Sequence, residues 1–255
     1  MTRTNVVTGV ASGIGKATAT LLKSRGERVI GVDLHDADVT ADLSSPDGLA
    51  QMVESVKAAS GGSIDAIYAI AGLAHDTSAT VKINFFGMVG TLVGLRPLLA
   101  GSDSPRAQAI ASMASLQDAD DQLVAAMLSD DRDAAVARAD AIAGQNLIYA
   151  STKQAFARWI RRNAANPEWA GESIPLNAVA PGIIRTPMTQ DMIATDEATK
   201  QLLQVVPMPL NGVAEPTVVA ELLTWLGSPA NTHLCGQVVF VDGGSDVVIR
   251  GDSTW

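Results

Sequence analysis

Tyr149 and Lys153 stand four residues apart in Asn146-Leu-Ile-Tyr-Ala-Ser-Thr-Lys-Gln-Ala-Phe156, a segment of helical character. On a helix that spacing puts a phenol and an ammonium on one face of one turn. A phenol titrates near ~10 and moves protons poorly at neutral pH, but a neighbouring positive charge favours the phenolate and lowers that value. A tyrosine tuned in this way serves as a general acid or base. The same pair falls by chance on many solvated helix faces, so its weight depends on its surroundings.

Three other stretches supply those surroundings: Thr8-Gly-Val-Ala-Ser-Gly-Ile-Gly15, Ala109-Ile-Ala-Ser-Met-Ala-Ser115 and Ala180-Pro-Gly-Ile-Ile-Arg-Thr-Pro-Met188. The first leaves a short apolar strand and enters a helix expected over 16–25. In that context Gly9 permits the tight turn and Gly13 lets backbone approach a pyrophosphate. Gly15 allows the helix to pack on the strand while its N-terminal amides face the phosphates. The next strand, over 28–33, ends in Asp33, about 20 residues beyond Gly13, where a carboxylate reaches a ribose diol and repels a 2′-phosphate.

In order and spacing these stretches resemble the short-chain dehydrogenase/reductase family over essentially the whole chain. The resemblance implies reversible hydride transfer between a nicotinamide dinucleotide and a secondary alcohol or ketone. Tyr149 would be the proton donor and acceptor. Lys153 would lower its pKa and bind the nicotinamide ribose, Ser112 would orient the substrate oxygen with Ser115 as fallback, and Asn84, in Val81-Lys-Ile-Asn-Phe-Phe-Gly87, would hold a water beside the lysine. The cofactor contacts it implies are Gly9, Ser12, Gly13, Ile14, Gly15, Asp33, Asp42, Leu43, Ala71, Gly72, Tyr149, Lys153, Pro181, Gly182, Ile184 and Thr186. Asp42 either meets the adenine amino group or caps the helix that begins at Pro46. Ser12 and Leu34 occupy positions where NADP-preferring relatives usually carry Arg or Lys, so NAD is the expected cofactor. Ala69 and Ile70 replace the family's two asparagines, a change on the adenosine side only.

Alternating strand and helix signals must position these groups. Helices are expected over 46–60, 77–99 and 215–226, and further strands over 64–71, 108–112, 175–180 and 237–241. The fold class is α/β, a single-domain doubly wound (Rossmann) parallel sheet of about seven strands with helices on both faces. Between Ser112 and Tyr149 the chain is much longer than in common members of the family, which marks 116–147 as an insertion. It holds seven aspartates against two arginines. Leu123, Ala126 and Met127, then Val136, Ala139 and Ile142, stand at amphipathic spacing, so two short helices are expected. This insertion, with Gly31-Val-Asp-Leu-His-Asp36, Val39-Thr-Ala-Asp-Leu-Ser44 and Val241-Asp-Gly-Gly-Ser-Asp246, is similar to the bacterial 3α-hydroxysteroid dehydrogenase/carbonyl reductases. That subgroup implies the 3-position of a steroid as substrate; an aromatic alcohol or xenobiotic ketone is the alternative. Residues 187–209, with Met188, Met192, Ile193, Leu202, Leu203, Val205, Val206 and Met208, read as a substrate lid.

Bulk properties exclude several classes. Lys and Arg number 18 against 27 Asp and Glu, a net charge of -9 without a basic run, so nucleic acid and anionic membranes are not expected partners. His35, His75 and His233 lie far apart, so no metal site is expected. A single cysteine, Cys235, and an N-terminus without signal-peptide character fit the cytoplasm. No uninterrupted apolar run reaches the ~18 residues of a membrane span. A dinucleotide sensor without catalysis would not need Tyr149, Lys153 and Ser112 together, and a sugar-nucleotide epimerase would need a longer C-terminal region. In the family the tyrosine-bearing helix commonly packs on its counterpart in a second subunit. An insertion just before it would alter that contact, so a homo-oligomer is expected, a dimer before a tetramer.

Overall fold

The computed structural model describes residues 2–253. Seven strands, β1 (Thr4–Thr8), β2 (Arg28–Asp33), β3 (Val39–Thr40), β4 (Ala66–Ala69), β5 (Arg106–Ile110), β6 (Leu176–Pro181) and β7 (Val238–Val241), form one sheet in the order β3-β2-β1-β4-β5-β6-β7. Every pairing is parallel. The central strands are buried and mostly apolar because both faces are covered, with Asn5, Gln108 and Asn177 among the buried polar exceptions. Side chains alternate between two cores: Val6 and Ile67 enter one, Val7 and Tyr68 the other.

Helices α1 (Gly13–Ser24) and α9 (Pro216–Leu226) pack together over the second core. The opposite face carries α2 (Pro46–Ser60), then α3 (Ser78–Val81), a π-helical turn Lys82–Gly87, α4 (Met88–Leu95) and α7 (Ile148–Asn163). The 46–60 helix has the bounds its sequence predicts: the Ser45 hydroxyl accepts from Gly48 N at 3.0 Å, proline stands in the first turn, and Gly61 leaves at φ +72. Ser45 is therefore the cap, which removes that role from Asp42. The continuous helical run Ser78–Gly101 is long and apolar enough to cross a bilayer by length and composition, a feature the count of uninterrupted apolar residues misses. In the fold 56% of its most apolar window is buried, as expected of a core helix.

Residues 116–147 form α5 (Asp121–Leu128) and α6 (Arg132–Ala141), which pack on each other and on α7 and α3. Leu123, Met127, Ala139 and Ile142 are buried as expected, while Val124 and Ala135 take the core positions expected of Ala126 and Val136. Further along, α8 (Asp196–Val205) has no buried residue. Its Leu202 and Leu203 are half-buried against a small cluster in which Val206 and Met208 pack with Met113 and Ile183. A short helix, α10 (Ser245–Arg250), follows β7 beyond the last element that the sequence predicts.

Candidate active site

Strand order reverses between β1 and β4, and at such a switch point the carboxyl ends of the strands leave a crevice for ligand. Here that crevice is a cleft of about 400 Å³. Its floor is the turn from β1 into α1. Gly9 (φ +77) and Gly13 (φ +51) adopt left-handed backbone, and a Cβ on Gly15 would lie 2.0 Å from Gly9 O. The first turn of α1 carries no acidic residue and no side-chain cap, so its amides remain open to an anion. Thr8 Oγ1 accepts from Ile70 N at 2.9 Å and Ala71 N at 3.0 Å, which closes the floor against the end of β4.

At one end of the cleft Asp33 accepts from Ala11 N (2.9 Å) and Leu34 N (2.7 Å), so both carboxylate oxygens are aimed by backbone. Beside it Asp42 accepts from Ser44 N at 2.9 Å, and its hydrogen bonds to Ser44, with a smaller contribution from Arg132, hold its carboxyl below the usual range. These groups fit a dinucleotide: a cradle that a side chain would fill, an uncapped helix N-terminus, and an oriented acid at the end of β2. All sixteen positions expected to touch the cofactor line this one cleft.

At the other end stand Tyr149, Lys153 and Ser112. Lys153 is 3% exposed, donates from Nζ to Ile110 O at 3.1 Å and lies 5.7 Å from the centroid of the Tyr149 ring. Burial pushes the lysine down to about 8. Burial also pushes the Tyr149 phenol up, against a smaller downward pull from the Ser112 hydroxyl. In the ligand-free fold desolvation is the largest influence on each group, and for the phenol it acts against the lowering expected from Lys153. Ser112, just past β5, caps the turn Met113–Leu116 by accepting from Ala114 N at 3.1 Å and lines the cleft, as Ser115 does not.

Asn84 is fully buried in the π turn but does not line the cleft. Its carboxamide accepts from Leu73 N and donates to Leu73 O, each at 2.8 Å, and donates to Thr152 Oγ1 at 3.3 Å. The side chain clamps the loop after β4 to α7, since a buried amide must find hydrogen-bond partners. Sequence reasoning missed Asp76. The start of α7 has no side-chain cap of its own, and the Asp76 carboxylate accepts from Gly144 N (2.6 Å), Asn146 N (3.0 Å) and Ile148 N (3.4 Å), one residue before Tyr149. Nothing local in the sequence marks a cap supplied from so far away. Ile184 pairs with Ala214, and Thr189 Oγ1 ties Thr186 N to Ile184 O, which shapes the entrance to 187–209.

A doubly wound sheet with an anion-ready glycine turn at its switch point and a Ser, Tyr and Lys group at its strand ends defines a dinucleotide-dependent oxidoreductase. The comparisons with known proteins narrow that class. Residues 3–124 match the family model described as short chain dehydrogenase, and residues 133–246 match one described as Enoyl-(Acyl carrier protein) reductase. The chain is 33% identical over 252 residues to the 3-alpha-hydroxysteroid dehydrogenase/carbonyl reductase of Comamonas testosteroni, covering 96% of this chain and 97% of that one. It is 30% identical to the cis-4-hydroxycyclohexanecarboxylate dehydrogenase of Sinomonas cyclohexanicum, over 96% and 97% of the two chains. The crystal structure of the 3-alpha-hydroxysteroid dehydrogenase from Pseudomonas sp. B-0831 complexed with NADH superposes with a TM-score of 0.90 at 36% identity, covering 98% of this chain and 99% of that one. The chain belongs to the short-chain dehydrogenase family.

Proposed function

We propose that this protein interconverts a secondary alcohol and a ketone with NAD(H), and that its substrate is a neutral, apolar molecule, first of all the 3α-hydroxyl or 3-keto group of a steroid. The observation that carries the reading is the convergence of Ser112, Tyr149 and Lys153 at one end of a cleft whose other end is Asp33. When bound, the dinucleotide supplies or accepts the hydride. In reduction the Tyr149 hydroxyl gives its proton to the substrate oxygen, and in oxidation the phenolate takes it back. Ser112 fixes the position of that oxygen by hydrogen bonding. Lys153 and the glycine turn bind the dinucleotide, and Asp33 favours NAD over its 2′-phosphorylated form by repulsion.

The lining supports the choice of substrate class. Asp33, Asp42 and Lys153 are the only charged residues around the cleft among those described, and Lys153 is committed to Ile110 O. Among the described residues lining the cleft no free cation stands ready to hold a substrate carboxylate, which favours a neutral substrate over a hydroxy acid. The names of two relatives, both 3-alpha-hydroxysteroid dehydrogenases, support the steroid. An aromatic alcohol or xenobiotic ketone would use the same chemistry. Segment 187–209 is read as a lid closing over such a substrate. The assembly is read as a homodimer, because α5 covers part of α7, and the compartment as cytoplasmic. A clean tetramer by light scattering overturns the dimer.

The test is NADH absorbance followed against a panel of steroid, aromatic and carboxylate-bearing alcohols and ketones, with Tyr149→Phe beside the wild type. Steroids should turn over best, and the variant should lose about 10²-fold or more in kcat while still binding NADH. Undiminished turnover by the variant removes Tyr149 from the mechanism.

A further inference from the structure

Arg132 opens α6, deep in the insertion, and its position is locally unfavourable. A cation in the first turn of a helix opposes the dipole, and Asp131 already supplies the cap by accepting from Ala134 N at 3.0 Å. Where a residue contradicts its local setting, a tertiary contact commonly accounts for it. The guanidinium of Arg132 donates from Nη2 to Ser44 O, in the loop between β3 and α2. It also lies over the Phe86 ring, 5.1 Å from its centroid, on the π turn. That turn itself presses on the same loop: a Cβ on Gly87 would stand 2.6 Å from Leu43 O. Asp42, Leu43 and Ser44 line the cleft, at the end that holds Asp33.

We propose that Arg132 is a positioning residue of the dinucleotide site, through which the insertion fixes the wall Asp42–Leu43–Ser44 on the adenosine side of the cleft. The inference rests on the NAD(H) reading above and deepens it. One guanidinium joins three parts of the chain, the insertion, the π turn bearing Asn84 and the β3–α2 loop. Its charge also contributes to the depressed titration of Asp42. A planar fork is needed to donate to a carbonyl while stacked on an aromatic face, which lysine does not reproduce.

The experiment measures binding of NADH and of reduced nicotinamide mononucleotide, which lacks the adenosine half, to wild type, Arg132→Met and Arg132→Lys. NADH should bind the Met variant about tenfold more weakly, with the mononucleotide unchanged, and the Lys variant should fall between. NMR titration of Asp42 without ligand should show its midpoint raised in Arg132→Met. Equal affinity of wild type and both variants for NADH overturns the inference, as does weakening of both ligands alike, which would mean a general disturbance. Should Arg132→Met fail to fold, the ratio of the two affinities in Arg132→Lys decides the matter. A wild type that binds neither ligand sinks the NAD(H) reading itself, whereas wild-type binding with an unmoved ratio sinks only the role of Arg132.

Discussion

Segments 116–147 and 187–209 are both amphipathic and both lie beside the sheet, yet they end differently. The first buries Leu123, Val124, Met127, Ala135, Ala139 and Ile142, and is pinned by Arg138, whose Nε and Nη2 reach the two oxygens of Asp120 at 3.0 and 2.5 Å. Asp120 N in turn donates to Ser151 Oγ on α7 at 2.8 Å. In the second, α8 is the more strongly amphipathic helix and fully buries no residue, with Leu202 and Leu203 half-buried against the cluster of Val206 and Met208. Met188 and Met192 are 46% and 52% exposed. An apolar stripe states that a surface wants covering, and only the tertiary structure states by what. For the insertion the cover is α7; for the second segment the proposed cover is substrate.

The sharpest way to break this contrast is to cut equal side chains from the two segments. Leu123→Ala removes a fully buried leucine and should cost about 2–5 kcal/mol in chemical denaturation. Leu202→Ala, at a half-buried leucine on α8, should cost clearly less, about 1 kcal/mol. Similar losses at both sites would erase the distinction between docked and undocked segments.

A second variant probes what the docked insertion holds in place. The folded pKa of Lys153, about 8, lies below its ordinary 10.5, so its charged form is disfavoured in the fold. That destabilisation is fully present below pH 8 and is relieved as pH rises toward 10.5. Lys153→Met should therefore stabilise the ligand-free protein at pH 7 by up to about 3 kcal/mol, less the lost bond to Ile110 O, while abolishing most turnover. The gap between variant and wild type should close between pH 8 and 10.5. A gap that is flat with pH would show that the lysine is not desolvated.

Hydrogen exchange sharpens the contrast without mutation. Amides over 121–141 should be protected in the free protein, and those over 196–205 should exchange at least tenfold faster, slowing when NADH and a steroid are added. Equal protection of 196–205 with and without ligand would make it part of the static fold. The smallest effect belongs to Met188→Gln, which should raise KM for a steroid about threefold, under about 1 kcal/mol, and leave a small ketone nearly unaffected. Equal increases for both substrates would place Met188 outside any lid.

Much of the site was legible because its chemistry is local in the chain. The four-residue step from Tyr149 to Lys153, the glycine turn ahead of α1 and the acid closing β2 each act through near neighbours, and helical or strand periodicity then sets their direction. Tertiary structure alone decided the rest. The phenol of Tyr149 moves up because the surrounding fold desolvates it, a quantity no spacing encodes. Asn84 finds Leu73, Asp76 caps α7 and Arg132 reaches Ser44 across long separations in sequence. Each of those polar groups must be satisfied once removed from water, and which partner satisfies it depends on how the elements pack.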